Sequence, residues 1–155
     1  MTRTASSVLA NQNLVSHADD SEWFDIVPGE SATIRVHSDQ VGGRFAIVES
    51  RLSPNAATPL HSHREEEIFE ILEGVVTFVC GEDRFEATSG SIVVAPAGVA
   101  HLWANLSGCP ARMRALFVPG GVEQLLPRVA GLSPAELNEM ALSYGTRVLG
   151  PPITA

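Results

Sequence analysis

The sequence predicts an all-β fold, an antiparallel sandwich or barrel, followed by a short C-terminal helical extension. Short runs rich in β-branched and aromatic residues follow one another from Trp23 to Val118, and turn residues separate them. No helical crossover pattern lies between these runs, which argues against a parallel α/β sheet. The predicted strands are WFDIV, ATIRV, RFAIVESRL, EIFEILEG, VVTFVC, RFEAT, SIVVAP, HLWANL and RMRALFV.

The pattern becomes helical after the barrel segment. The run VEQLLPRVAGL is helix-like but is interrupted by Pro127. In the next run Ser133 is the expected N-cap, Pro134 the first helical residue and Glu136 the partner that completes a capping box, and Gly145 ends the helix. One apolar stripe of this helix can pack on the sheet: Leu137, Met140, Ala141 and Tyr144.

These changes in pattern divide the chain into three segments. Residues 1–20 are polar and lack periodicity, so we expect a flexible N-terminal arm. Residues 21–119 form the predicted barrel, and residues 120–155 form the helical extension and tail.

Composition limits the classes of partner. A chain of 155 residues that is 45% hydrophobic and 18% charged is typical of one soluble globular domain. A net charge of −8 with no lysine or arginine cluster argues against nucleic acid and against an anionic membrane surface. The sequence shows no signal peptide and no membrane-length apolar run, so we expect a cytoplasmic protein. In that compartment Cys80 and Cys109 are expected to be unpaired thiols.

The stretch LHSHREEEIFEILEG is the first candidate site. His61 and His63 lie two residues apart, so on a strand both side chains point to the same face and can converge on one cation. Glu67 is the candidate carboxylate ligand, whereas Glu65 and Glu66 are expected to be solvated in the turn. Surface decoration is the alternative interpretation of this stretch, and only a second histidine segment argues against it.

That second segment is GSIVVAPAGVAHLWAN, in which His101 starts a strand after a proline-glycine turn. Three imidazoles and one carboxylate make a mixed nitrogen and oxygen site that suits Fe, Mn, Ni, Cu or Zn. Zinc enzymes typically use three protein ligands, so four ligands favour an octahedral, redox-capable metal. No serine nucleophile motif, phosphate loop or dinucleotide fingerprint competes with this site.

The two segments resemble the signature motifs of the cupin superfamily. The first motif requires HxH, a glutamate and a closing glycine, and its leading glycine is replaced here by Asn55, a residue that tolerates turn conformations. The matching residues of the first motif are His61, His63, Glu67 and Gly74, and those of the second are Gly90, Pro96, Gly98, His101 and Asn105. The C-terminal segment is similar to the tails of quercetin dioxygenase-like cupins with a single domain.

The resemblance implies an antiparallel double-stranded β-helix, the jelly-roll barrel of cupins, with one divalent transition metal inside. It assigns the ligand role to His61, His63, Glu67 and His101. The glycines would occupy turns that need positive φ, Pro96 would form a rigid corner, and Asn105 would be structural.

We therefore expect a metal-dependent, dioxygenase-like cupin that acts with O₂ on a small aromatic or enolisable organic substrate. Glu67 is the candidate general base, and strand alternation places Phe69, Ile71 and Trp103 around the substrate pocket. A metal-dependent isomerase or cyclase without redox chemistry, and a non-catalytic binding protein, remain alternatives.

Other polar residues are expected to be peripheral. His17 and His37 lie outside both motifs and are predicted to be at the surface. The strand arginines are Arg44, Arg51, Arg112 and Arg114, whose direction the sequence does not fix. Sheet edges need cover, and the resemblance to cupins of this size implies a dimer, so we expect a homodimer.

Overall fold

The computed structural model describes residues 13–155, which form two antiparallel β-sheets around one hydrophobic core. Residues 1–12, most of the predicted arm, lie outside the described residues. Within the described part of that arm, the Arg35 guanidinium donates to the backbone carbonyl of Ser16 at 2.8 Å.

The larger sheet has six strands in the order β1-β2-β3-β10-β5-β8. Its strands are β1 (Phe24–Asp25), β2 (Glu30–Val36), β3 (Ala46–Leu52), β5 (Glu66–Glu73), β8 (Ile92–Ala95) and β10 (Ala111–Val118). The smaller sheet has five strands in the order β11-β4-β9-β6-β7. They are β4 (Leu60–Ser62), β6 (Val75–Cys80), β7 (Asp83–Thr88), β9 (His101–Ala104) and β11 (Arg147–Gly150).

The predicted strands are all present, and β6 and β7 form the expected hairpin, with Cys80 opposite Asp83 across its turn. Burial alternates along β10 and along most of β5, so each strand turns one face to the core. The last strand was not predicted from the sequence. β11 pairs with β4 and places Val148 opposite His61.

The C-terminal extension has the predicted helix, α1 (Pro134–Ser143). The Ser133 hydroxyl accepts from the Glu136 N–H, and the Glu136 carboxylate accepts from the Ser133 N–H, so the capping box is confirmed. Ala141 is buried, and the other stripe residues, Leu137, Met140 and Tyr144, pack partly buried against the core. The run around Pro127 forms two short 3₁₀ turns, Val122–Gln124 and Leu126–Arg128.

The arginines predicted to lie in strands turn away from the core, and Arg44 precedes β3 instead of lying in it. Arg112 and Arg114 pair with glutamates on the outer face of the larger sheet, including Glu49. Arg51 stacks on the Trp23 ring, with its guanidinium carbon 3.8 Å from the ring centroid, and Arg44 is exposed. His17 and His37 are exposed, as predicted.

Cys80 and Cys109 are free thiols, as expected. Across residues 13–155, no helix combines the length and the apolar character needed to cross a membrane.

Candidate metal centre

Three strands, two from the smaller sheet and one from the larger, bring the four candidate ligands together. β4 carries His61 and His63 follows it, β9 begins with His101, and antiparallel pairing sets His61 directly opposite His101. Glu67 is the second residue of β5 in the other sheet. One potential ligand atom of each residue lies within 4.8 Å of the others.

The Glu67 carboxylate is at the middle of this group. Its Oε2 atom lies 3.1 Å from Nε2 of His63 and 3.0 Å from Nε2 of His101. The ring centroids of His61 and His101 are 4.4 Å apart, and those of His61 and His63 are 5.5 Å apart. Glu67, His63 and His101 are buried and His61 is half-buried, so water competes little for these atoms.

Backbone carbonyls fix the tautomer of all three rings. Nδ1 of His61 lies 2.8 Å from the Pro59 carbonyl, Nδ1 of His63 lies 3.0 Å from the Glu65 carbonyl, and Nδ1 of His101 lies 2.9 Å from the Val99 carbonyl. A carbonyl oxygen only accepts, so each Nδ1 must carry the proton. In the neutral rings Nε2 then carries the lone pair that can bind a cation, and without a cation protons on Nε2 of His63 and His101 donate to Glu67.

Charges at the centre are coupled. Burial raises the pKa of Glu67, but hydrogen bonds from His101 and His63 outweigh it and lower that pKa to about 2. Burial and the neighbouring His101 lower the pKa of His61 to about 4. Burial also lowers the pKa of His101, yet its hydrogen bond to Glu67 gives a net increase. An ionised Glu67 and a neutral His61 are the states that bind a metal.

The donor set fits a divalent transition metal. Neutral Nε2 atoms and one carboxylate converge in a buried space, where their lone pairs would repel one another without a cation or protons between them. This group is therefore suitable for a metal ion, and the mixed donors do not decide between Fe, Mn, Ni, Cu and Zn.

A cavity of about 100 Å³ adjoins the centre and is lined by His61, His63 and Glu67. Phe69 and Trp103 also line it, but Ile71 does not: it lies fully buried in the core, because it is further along β5. Hydrophobic residues of the C-terminal extension close one side, namely Val122, Leu125 and Leu126. A larger groove of about 670 Å³, lined by Arg51 and Arg112, contains none of the four candidate ligands.

Two polar residues that sequence reasoning missed bear on the chemistry of this cavity. Glu30, which lies just before the predicted strand ATIRV, begins β2 and is buried against the cavity. Thr146 follows α1 and is also buried in the cavity wall. Neither residue lies in a motif, and no local pattern in the sequence distinguishes either from an ordinary turn residue.

The interpretation of Glu65 as a solvated turn residue is wrong. Its side chain is 2% exposed, and Oε2 lies 3.6 Å from Nδ1 of His63. The chain turns between β4 and β5 so that Glu65 packs behind the His63 ring, while the neighbouring Glu66 is exposed as expected.

The remaining motif residues are structural. Asn55 has φ 68°, so it does adopt the turn conformation expected of a glycine. Gly98 donates its N–H to the His63 carbonyl at 2.8 Å and so joins the two motifs. Asn105 is fully buried and donates to the carbonyls of Leu52 and Cys109.

The comparisons with known proteins agree with this geometry. The family model described as "Cupin domain" matches residues 48–119, which include all four candidate ligands. No curated protein matches the chain.

Several solved structures share the fold. KdgF from Halomonas sp. aligns with a TM-score of 0.64 and 19% identity, covering 73% of this chain and 99% of that one. The polyketide cyclase RemF from Streptomyces resistomycificus aligns with a TM-score of 0.62 and 20% identity, covering 86% and 96%. Oxalate decarboxylase from Bacillus subtilis aligns with a TM-score of 0.59 and 21% identity, covering 72% and 31%. We conclude that residues 48–119 match the cupin domain and that the described chain has the fold of these solved structures.

Proposed function

We propose that this chain is a metal-dependent enzyme that oxidises a small enolisable substrate with O₂ in the cavity beside His61, His63, Glu67 and His101. The observation that carries the proposal is the convergence of three Nε2 atoms and one carboxylate on a small, largely apolar cavity. Such a cavity excludes bulk water and strengthens electrostatic interactions with a bound substrate.

Cavity size narrows the substrate class. A protein cavity of roughly 150 Å³ holds a benzene molecule, and this one is about 100 Å³. A compact ketone or hydroxyketone therefore fits better than a polycyclic flavonol, and of the two expected substrate classes we favour the enolisable one.

The chain's own residues have separate roles in this proposal. His61, His63 and His101 hold the metal through Nε2, because their Nδ1 protons are held by backbone carbonyls. A bound metal supplies Lewis acidity and, when redox-active, electrons for O₂. Glu67 is the candidate base: when it is detached from the metal or loosely bound to it, its carboxylate beside the cavity can accept the proton that the substrate loses on forming its enolate. Phe69 and Trp103 supply apolar walls.

A second candidate is an isomerase or cyclase that uses the same proton transfer without O₂. The observation that favours it is the second buried carboxyl group, Glu30, which lines the cavity with Glu67 and could return a proton. The polyketide cyclase among the structural neighbours shows that the fold supports such chemistry, although about 20% identity does not transfer the activity.

Two measurements on the metal-loaded chain separate these candidates. The protein is loaded with Fe, Mn, Ni, Cu or Zn in turn and mixed with hydroxyacetone or a flavonol. An oxygenase consumes O₂ only with the redox-active metals, whereas an isomerase exchanges the α-proton for deuterium without O₂ and also with Zn. His101→Ala is the inactive control. If neither O₂ uptake nor deuterium exchange exceeds that of the control, the result favours a non-catalytic binding protein.

A further inference from the structure

The Thr146 hydroxyl has no hydrogen-bond partner in the described protein, although its Oγ1 atom is buried. The residue is 5% exposed and lines the cavity beside the candidate metal centre. Buried hydroxyls without a partner are rare in folded proteins, and each one has a cost in stability. A hydroxyl held in this way is available to an oxygen atom of a bound ligand.

Glu30 contributes a second polar group to the same cavity. Its Oε1 accepts from the Ser50 hydroxyl at 2.8 Å, and the residue is 6% exposed. Burial raises the pKa of Glu30 to about 7, with the nearby charge of Glu67 adding to the effect against the Ser50 hydrogen bond. Around neutral pH a large fraction of this carboxyl is therefore protonated and can donate to a ligand oxygen.

The other hydroxyls of the cavity already have hydrogen-bond partners. The Thr58 hydroxyl already accepts from the Trp103 N–H at 3.2 Å, and the Ser50 hydroxyl is used by Glu30. Most of the remaining wall is aliphatic or aromatic. Among the described residues that line the cavity there is no lysine or arginine, so a ligand carboxylate that does not bind the metal would lie beside Glu30 with no cation to balance it.

We propose that Thr146 and Glu30 select, in the metal cavity, a small ligand with a neutral hydroxyl or carbonyl oxygen beyond its metal-binding oxygens. This inference rests on the proposed function, because it assumes that a small molecule binds at the metal. It narrows the substrate class to compact polyoxygenated neutral molecules, such as hydroxyketones, and disfavours dicarboxylates.

Two hydroxamates of equal size test this selection without a known substrate. Glycolohydroxamate and propionohydroxamate share the same metal-chelating group and differ only in a terminal hydroxyl or methyl group. Binding of each to the Ni(II)-loaded full chain is measured by isothermal titration calorimetry, after the metal content of every variant is shown to be equal. Wild type should bind glycolohydroxamate about tenfold more tightly than propionohydroxamate, because only the terminal hydroxyl can form a buried hydrogen bond.

Substitutions locate the source of the preference. Thr146→Val and Glu30→Leu should each reduce the ratio of the two affinities to about one. Glu30→Gln, which keeps a hydrogen-bond donor, should retain part of the preference. Glu49→Gln is the matched control, because Glu49 is an equally buried carboxylate that pairs with Arg35 on the outer face of β3. Thr146→Val should also raise the Tm of the ligand-free protein by about 2 to 4 °C, because it removes an unpartnered hydroxyl.

The outcomes separate the two proposals. Equal affinity of wild type for the two hydroxamates overturns the selection by Thr146 and Glu30 but leaves the proposed function intact. A preference that survives both Thr146→Val and Glu30→Leu also overturns the selection. If neither hydroxamate binds the Ni(II)-loaded wild type, the proposed function fails, and the selection fails with it.

Discussion

Nε2 of His101 lies 3.0 Å from Oε2 of Glu67, although 34 residues separate them in the chain. The two residues belong to different sheets, β9 and β5, so this contact exists only when the barrel is closed. A metal bound between them would therefore bridge the two sheets. Metal binding and folding should be coupled for the same reason.

Glu65 should tune the metal affinity through His63. Its carboxylate oxygen lies 3.6 Å from Nδ1 of His63 and makes that ring a stronger donor. Glu65→Gln should lower the metal affinity about tenfold in a competition titration against a chelator. Glu66→Gln is the matched control, because Glu66 is exposed, and it should leave the affinity unchanged. Equal affinities for the two variants would show that Glu65 only fills space.

Glu30 should make the stability of the metal-free protein depend on pH. Its pKa rises from 4.5 to about 7 on folding, so the folded chain holds a proton that the unfolded chain has released between these values. The stabilisation is thus present below 4.5 and is lost as pH rises through about 7. The free energy of unfolding, measured in urea for wild type and Glu30→Gln, should show this as a difference that falls with pH.

The comparison with Glu30→Gln is needed because His61 acts in the opposite direction. Its pKa falls to about 4 on folding, so it makes the protein more stable as pH rises through the same window. Both proteins contain His61, so its effect cancels in the difference. A difference that does not change with pH would mean that Glu30 is ionised in the folded chain as it is in water.

Gly74 should tolerate substitution less well than Gly90. Both glycines have positive φ, 80° and 88°, so alanine strains the backbone at either position. At Gly74 an added Cβ would also lie 2.8 Å from the Pro110 carbonyl oxygen, whereas at Gly90 it would meet no atom within 4 Å. Gly90→Ala should cost about 1 kcal/mol in urea unfolding and Gly74→Ala roughly 2 kcal/mol or more. Equal costs would contradict the steric argument.

The homodimer remains a prediction. β8 is an edge of the larger sheet and exposes Ile92 and Val94, at 60% and 47%. An exposed apolar sheet edge of this kind can pair with another chain. Light scattering should give twice the chain mass of 16.5 kDa. A monomer over the working concentration range would refute the dimer.

Much of the barrel could be predicted because its signals are local. Alternating runs and glycine turns identify strands, and Ser133 and Glu136 identify the helix start. The candidate ligands could be found because two lie two residues apart, in the sequence HSH, and the others match a known spacing. Glu30, Thr146 and β11 carry no comparable signal: their burial and pairing depend on contacts distant in sequence. Glu65 was misread because charge in a turn usually indicates exposure.

The most direct test of the account is the metal content of the purified chain. The protein is stripped with a chelator, dialysed against one divalent transition metal and analysed by mass spectrometry, beside His61→Ala, His101→Ala and His17→Ala. His17 is an exposed histidine outside the centre and is the matched control. We expect one metal per chain in wild type and His17→Ala, with a large loss in the other two. Wild type that holds as little metal as His61→Ala and His101→Ala would contradict the metal centre.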